Sequence, residues 1–390
     1  MQHRGTIRNQ GFSLLEMMIA MALGAVVMAA AVSMFSKAVT GTWLVSQRAE
    51  MQQDFRAAAT MLTKDASMAG SGMGNNVQIA LPSGNGVQVP VYGCDQTPRC
   101  YINGGAVAYP TQVVGANTVP YLYALIPGPS FGPTVNAAGG PTDVITVVNA
   151  DTNFLLSCYD ATVTSNTVVH FVLPNPLHNT CVVPLPLLAP QAINDPIVGL
   201  TPGDLVQLQI TIGVGNGATS STVLGEVTNI ANTGGSTYDV TFAAGDPLQM
   251  NQPTAAAGSL RQINGGNGSA NRINVITYYI DKTIVPPRLM RQTSGHTPIP
   301  LAENVSFLQF SYDLFDSNSG NVLTDQADGG ASQNLTPNQI TKINIKHMSV
   351  TSTMKGVGSG GGSGFQGLDL QTSVSARDLT FKNDYPLSSP

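Results

Sequence analysis

Charge is what this chain has least of. Only 10% of its 390 residues are Asp, Glu, Lys or Arg, and between Lys64 and Arg261 the single basic residue is Arg99. Nucleic-acid binding needs clustered Lys and Arg against phosphate, so that function class is excluded. There is one tryptophan, Trp43, and there are only four cysteines, Cys94, Cys100, Cys158 and Cys181. None of the cysteines forms a CxxC pair, and His170 and His178 do not complete a zinc pattern with them, so no metal site is expected. GxSxG, HExxH and paired-carboxylate patterns are missing, and no glycine cluster follows a strand and opens a helix with a lysine. The chain is therefore read as a non-enzyme without a cofactor. What is abundant is glycine (41) and proline (25), with 42% hydrophobic residues and a polar complement of mostly Asn, Thr, Ser and Gln. That is the make-up of a turn-rich exported β protein.

The amino terminus carries the strongest pattern. A basic leader with Arg4 and Arg8 precedes Gly11-Phe12-Ser13-Leu14-Leu15-Glu16, and Met17 to Ser36 follow without a charge. About 20 apolar residues suffice to cross a bilayer. An acid at the edge of such a segment is costly and calls for a partner, since mid-bilayer Asp costs roughly 2.5–3.5 kcal/mol. Two other readings exist. One is a secretory signal cut near Ala29-Ala30-Ala31, and the other is a plain uncleaved anchor. Both fail to account for glycine, Phe and Glu standing in register behind a basic leader. The segment resembles the class III signal of type IV prepilins and type II secretion pseudopilins. The resemblance implies that a prepilin peptidase cuts between Gly11 and Phe12 and methylates the new Phe12 amine. It also implies that Glu16 pairs with such an amine on a neighbouring subunit. Loss of Arg4 and Arg8 leaves 15 basic against 22 acidic side chains, a net charge of −7.

Beyond the membrane segment the helix is expected to run on to Ala69. Leu44, Met51, Phe55, Leu62 and Ala66 form one stripe, Arg48 falls at its edge, and Ser46, Glu50, Gln53, Arg56 and Lys64 lie opposite. Gly70 and Gly72 supply the stop. Trp43 suits either an interfacial anchor or packing on the head. After Gly70 the helical period vanishes. Strand-like runs follow at Asp143–Ala150, Thr167–Leu173, Asp204–Val214, Ser236–Ala243, Arg272–Ile280 and Val305–Leu314. Thr341–Thr351 and Leu368–Phe381 flank a Gly/Ser-rich segment, 356–364, which reads as a loop between two paired strands. The fold class expected is α+β: one long N-terminal helix, half of it transmembrane, on a largely antiparallel β head. The domains are a leader 1–11, a membrane or filament-core helix 12–36, its amphipathic continuation 37–70, and a β-rich head 71–390. A lobe boundary is expected near 184–200, where proline is dense. Four cysteines permit three pairings; Cys94–Cys100 and Cys158–Cys181 are expected because each closes a short loop. Asp313, Asp316, Asn318 and Gly320 loosely fit a calcium loop but suit a hairpin turn better, there being no closing glutamate.

The carboxy half narrows the resemblance. VITYYIDK and RLMRQTSGHTPIPLAENVSFLQFSYDLFD, within 275–316, and LQTSVSARDLTFKNDY at 370–385, are similar to the head strands of PilW-family minor pilins. LTKDASMAGSG at 62–72 and PGDLVQLQI at 202–210 resemble that family's helix exit and an internal strand. Ala376 and Asp378 depart from the family's closing strand, so no contact is assigned there. The resemblance implies a structural protein, processed by prepilin peptidase and working with other minor pilins and the major pilin. It implies a single pass through the inner membrane with the head outside, and a place in the pilus after assembly. A J-like pseudopilin at a secretion pseudopilus tip shares this layout. A pilus-borne adhesin is a third reading, for which the Asn, Thr and Ser content would suit glycan contacts.

Overall fold

The computed structural model describes residues 13–73, 78–137, 139–173, 192–213, 218–235, 237–317, 319–352, 366–376 and 379. One helix, Leu14–Ser67, runs for 54 residues, about 81 Å at 1.5 Å per residue. It contains no proline and is rich in Ala, Met and Leu, so nothing in its interior interrupts the backbone ladder. Thr40, Thr42 and Thr60 turn their hydroxyls back onto the carbonyls of Ser36, Ala38 and Arg56, satisfying those polar groups within the helix. By compactness the chain divides inside this helix: the part up to Gln53 falls in one unit, and the second unit begins at Asp54.

In the second unit the helix buries Phe55, Ala58, Ala59, Leu62 and Ala66, with Ala69 just beyond its end, while Asp54, Arg56 and Lys64 stay exposed. The expected stripe is thus in place from Phe55 onward; the side chains of Leu44 and Arg48 lie outside the described residues. The exit turns on two glycines in the left-handed region, Gly70 (φ 82°) and Gly72 (φ 72°). The Gly70 N–H donates to Val148 O at 2.8 Å, and a Cβ on Gly72 would sit 2.9 Å from the Ala150 Cβ. Glycine is needed there both for its φ and for the approach of chain to strand.

In the rest of this unit every strand pairing among the described residues is antiparallel. An eleven-stranded sheet is organised on the 15-residue strand Asn267–Asp281. Its first half pairs with Leu205–Ile212, from Leu205↔Ile273 to Thr211↔Asn267. Its second half pairs with Val144–Ala150 along one edge and Arg288–Thr293 along the other. All seven residues of Val144–Ala150 are buried, as expected of a strand covered on both faces. Under the first half lies a core of its own, including Phe154, Tyr159, Phe171, Leu208, Val240, Phe242 and Ile263. A second sheet runs in the order Asn321–Gln326, Val305–Asp316, Ile340–Ser352, Gln366–Ser375. The last two are neighbours, from Lys342↔Ser375 to Ser352↔Gln366, so the runs flanking the Gly/Ser segment do pair. A three-stranded sheet orders Gln78–Ala80, Asn117–Tyr123 and Thr111–Val114.

Two expectations shift. The final strand stops at Ser375 rather than Phe381, and twelve short strands between Gln78 and Gln326 join those read from sequence. Ten of the twelve are six residues or shorter and five contain Pro or Gly, so a period of two has little room to show. The Gly/Ser segment 356–364 and the first part of the expected lobe boundary, 184–191, lie outside the described residues.

Candidate functional site

The residues singled out at the amino terminus begin with Gly11 and Phe12, which lie outside the described residues, as do Arg4 and Arg8. The described part opens with a helix cap. Ser13 Oγ accepts the Glu16 N–H at 3.2 Å, while the Ser13 carbonyl accepts the N–H groups of Glu16 (3.0 Å) and Met17 (3.1 Å). The Glu16 N–H, which a helix start would leave orphaned, is thus met by Ser13, and the Met17 N–H opens the regular ladder. Ser13-x-x-Glu16 is the spacing of a capping box, a signal that is readable in the sequence. The cap places Glu16 in the first turn, near the positive end of the helix dipole, where a carboxylate is favoured. Glu16 is exposed, with no partner on its own chain among the described contacts, so a cation from elsewhere can reach it.

From Leu14 to Trp43, 30 residues, the helix is long and apolar enough to cross a membrane, and none of that stretch is buried within the chain. Met28 is 69% exposed, Phe35 72% and Trp43 57%. A helix apolar all round and uncovered by its own protein needs lipid or other helices around it. Gly24 and Gly41 have open space where a Cβ would stand.

Further along the helix the structure brings together residues that sequence reasoning missed. Asp65, on the buried face between Leu62 and Ala66, accepts from the Tyr278 hydroxyl at 2.6 Å and from Arg291 Nε at 2.8 Å. Burial, then the charge of Asp65, pushes the Tyr278 hydroxyl's pKa up, so it remains a donor. The available signal was an acid in register with an apolar stripe; its partners, more than 200 residues away, had none.

Cys94 and Cys100 are joined, closing the expected local loop. Inside it Asp95 Oδ1 accepts the N–H groups of Thr97 (2.8 Å) and Arg99 (3.3 Å). Burial works against the Asp95 charge, but hydrogen bonds led by those from Thr97 and Tyr101 outweigh it and hold the carboxyl below its usual range. The loop is seated by Gln96, whose N–H donates to Gly295 O at 3.0 Å and whose amide bonds the buried Glu226. Glu226 also accepts the Leu248 N–H at 3.1 Å and shares a hydrogen bond with Asp246. Burial first, then Asp246, pushes Glu226 up to about 9, so the pair holds a proton at neutral pH. The expected bridge Cys158–Cys181 involves Cys181, outside the described residues.

The other candidates fall apart spatially. Asp313 accepts from Asp325 N–H (3.0 Å) and Asn344 Nδ2 (2.9 Å), while Asp316 is held by Ser319 Oγ (2.6 Å) at the hairpin turn; Asn318 lies outside the described residues. His170, His296 and His347 each pair with a different acid, Asp239, Asp204 and Asp369. Ser349 Oγ bonds Asp369 at 2.8 Å, as does His347 Nδ1 at 3.0 Å. The acid, not the imidazole, is the bridge, so that trio leaves the hydroxyl without a base. Among the described residues no group of three or more His, Cys, Asp or Glu is placed to hold a metal ion.

The class follows from the amino-terminal segment. Residues 7–32 match the family model for the prokaryotic N-terminal methylation motif, which spans Gly11, Phe12 and Glu16 and enters the exposed helix. The chain carries a class III prepilin signal, the mark of pilin-like and pseudopilin-like structural proteins processed by prepilin peptidase. No curated protein and no solved structure matches the chain.

Proposed function

We propose that this chain is a minor pilin of the PilW kind, whose work is assembly. Prepilin peptidase removes residues 1–11 and methylates Phe12. Residues 12–36 hold the protein in the inner membrane and then in the filament core, 37–70 continue the helix, and the head from 71 on lies outside the cytoplasm. Glu16 receives the Phe12 amine of an adjacent pilin, a pairing that offsets the cost of an acid in an apolar layer. The observation that carries this reading is the methylation motif at residues 7–32, set on a helix left uncovered from Leu14 to Trp43. The Cys94–Cys100 bridge agrees with a head that folds in an oxidising compartment.

The test begins with Gly11→Val. It should leave a membrane-bound precursor heavier by residues 1–11, while the native protein starts at N-methylated Phe12 by mass spectrometry; a mature chain starting at Val32 would establish ordinary signal cleavage instead. Glu16→Ala should be cleaved normally yet be depleted from the filament fraction, and its normal recovery there would remove the pairing role. Loss of secretion with intact pili on deleting the gene would move the protein to the pseudopilins.

A further inference from the structure

A pocket of about 530 Å3 opens in the head between the strand Thr111–Val114 and the turn 328–337, with Tyr123 lining it. Small-molecule sites run from roughly 300 to 1,000 Å3. The turn is seated by Gly329, at φ +64°, where a Cβ would come within 2.4 Å of Pro127 Cγ. Only glycine permits both that φ and that approach, so the wall of the pocket is built on a position with little freedom to vary. Asn334, on the same wall, is also left-handed at φ 58°, a conformation asparagine tolerates better than most residues.

The lining decides what can bind. It has no Lys, Arg or His, so an anion would find no counter-charge. Its one carboxylate is committed: Asp328 Oδ1 accepts the Gly330 N–H at 2.9 Å and Oδ2 the Ser332 N–H at 2.8 Å. A cation would find this single, already hydrogen-bonded carboxylate, too few charged ligands to hold it. What remains is neutral, the Gln112 and Asn334 amides and the side chains of Thr111 and Thr336, set among the apolar surfaces of Pro110, Leu335 and Pro337. Gln112 is oriented by a hydrogen bond with the Tyr123 hydroxyl. Thr111–Val114 is also an edge strand. Tyr121 N–H bonds Pro110 O, and the register pairs Gln112 with Val119, so the peptide groups of Thr111 and Val113 face away from the sheet. Neutral amide and hydroxyl groups alternating with C–H surface match the rim of hydroxyls and the apolar faces of a pyranose ring. A peptide strand is less favoured, because only four residues of edge are on offer.

We propose that this pocket binds an uncharged saccharide unit. The chemistry is independent of how the amino terminus is processed; only access to external glycans rests on the head being exported. Full-length protein in a detergent without a sugar headgroup would be titrated with lactose, maltotriose and N,N′-diacetylchitobiose, and with 3′-sialyllactose as the charged comparison. Calorimetry and saturation-transfer NMR give the readout. At least one neutral probe should bind with a Kd of about 1 mM or tighter. Asn334→Gly, which keeps the left-handed backbone and deletes the amide, should weaken it about fivefold, the worth of one net hydrogen bond. Gln112→Ala should do the same, both with an unchanged thermal midpoint. Should Asn334→Gly unfold, Asn334→Asp reads the same contact. The proposal is overturned if none of the three neutral probes binds at about 10 mM. Binding that neither position affects, tighter binding of sialyllactose than of lactose, or displacement of sugar by an extended uncharged peptide would each overturn it too. Because Gly11 processing is measured separately, failure here leaves the assembly reading standing.

Discussion

The two halves of one helix obey opposite rules. From Leu14 to Trp43 apolar side chains point in every direction and none is covered by the chain. From Phe55 to Ala66 apolar side chains occupy one face and are almost wholly buried. The backbone is the same uninterrupted ladder throughout. The difference lies in what completes each half: the second is finished by the protein's own sheet, and the first is left for something outside the chain. Even the acids follow this division. Glu16 is exposed, whereas Asp65 is buried with Arg291 and Tyr278 already on it.

The sharpest way to break this comparison is to remove a buried anchor. Phe55→Ala should cost the head about 3–5 kcal/mol, a large-to-small change at a fully buried site. Unfolding of the full-length protein in detergent, followed by near-ultraviolet circular dichroism, would show it. A change under 1 kcal/mol would mean that the sheet does not depend on the helix. Asp65→Ala comes next. Leaving Arg291 unpaired in a largely buried site should cost about 3 kcal/mol or somewhat more, and Arg291→Leu added to it should recover part of the loss. A double mutant no better than Asp65→Ala would mean that the ion pair contributes through packing alone.

A smaller effect is expected at the disulfide. Cys94→Ser should lower stability by about 2 kcal/mol, because a short closed loop removes little chain entropy from the unfolded state. It should also loosen the seat of Gln96 on Glu226. That acid gives a pH signature of its own. In the unfolded chain a glutamate ionises near 4.5, while in the head Glu226 holds its proton up to about 9. Between those values the unfolded state binds fewer protons, so this group makes stability fall as pH rises. Glu226→Gln, which keeps a donor toward Asp246, should flatten the decline between about pH 5 and about pH 8.5; equal slopes in both proteins would refute the assignment. The smallest effect belongs to the exposed half. Met28→Ala should leave the head's stability unchanged within about 0.5 kcal/mol, as for other exposed sites. A larger change would mean that the helix segment before Gln53 contributes to the head.

Much of this was readable residue by residue. The uncharged run Met17–Ser36 behind Gly11 and Phe12 announced a membrane-length helix, and the recurrence of Phe55, Leu62 and Ala66 announced its burial on one face. Long strands such as Val144–Ala150 and Val305–Asp316 were legible because they hold enough Val, Ile and aromatic residues. Strands such as Val91–Tyr92 were not, since two residues carry no period. Nor could any local pattern mark Glu226 and Asp246 as a proton-sharing pair, or join Gln112 to a turn more than 200 positions later.

By itself the sequence determined the helix, its processing signal and the antiparallel class of the head, because these follow from composition and from periods of 3.6 and 2 that act over neighbouring residues. Only the tertiary structure decided which acids are buried and with whom, where the Cys94–Cys100 loop is seated, and that a pocket without a basic residue opens beside Tyr123. Those depend on contacts between residues distant in the chain, whose pairing is set by how the strands come into register and the core closes.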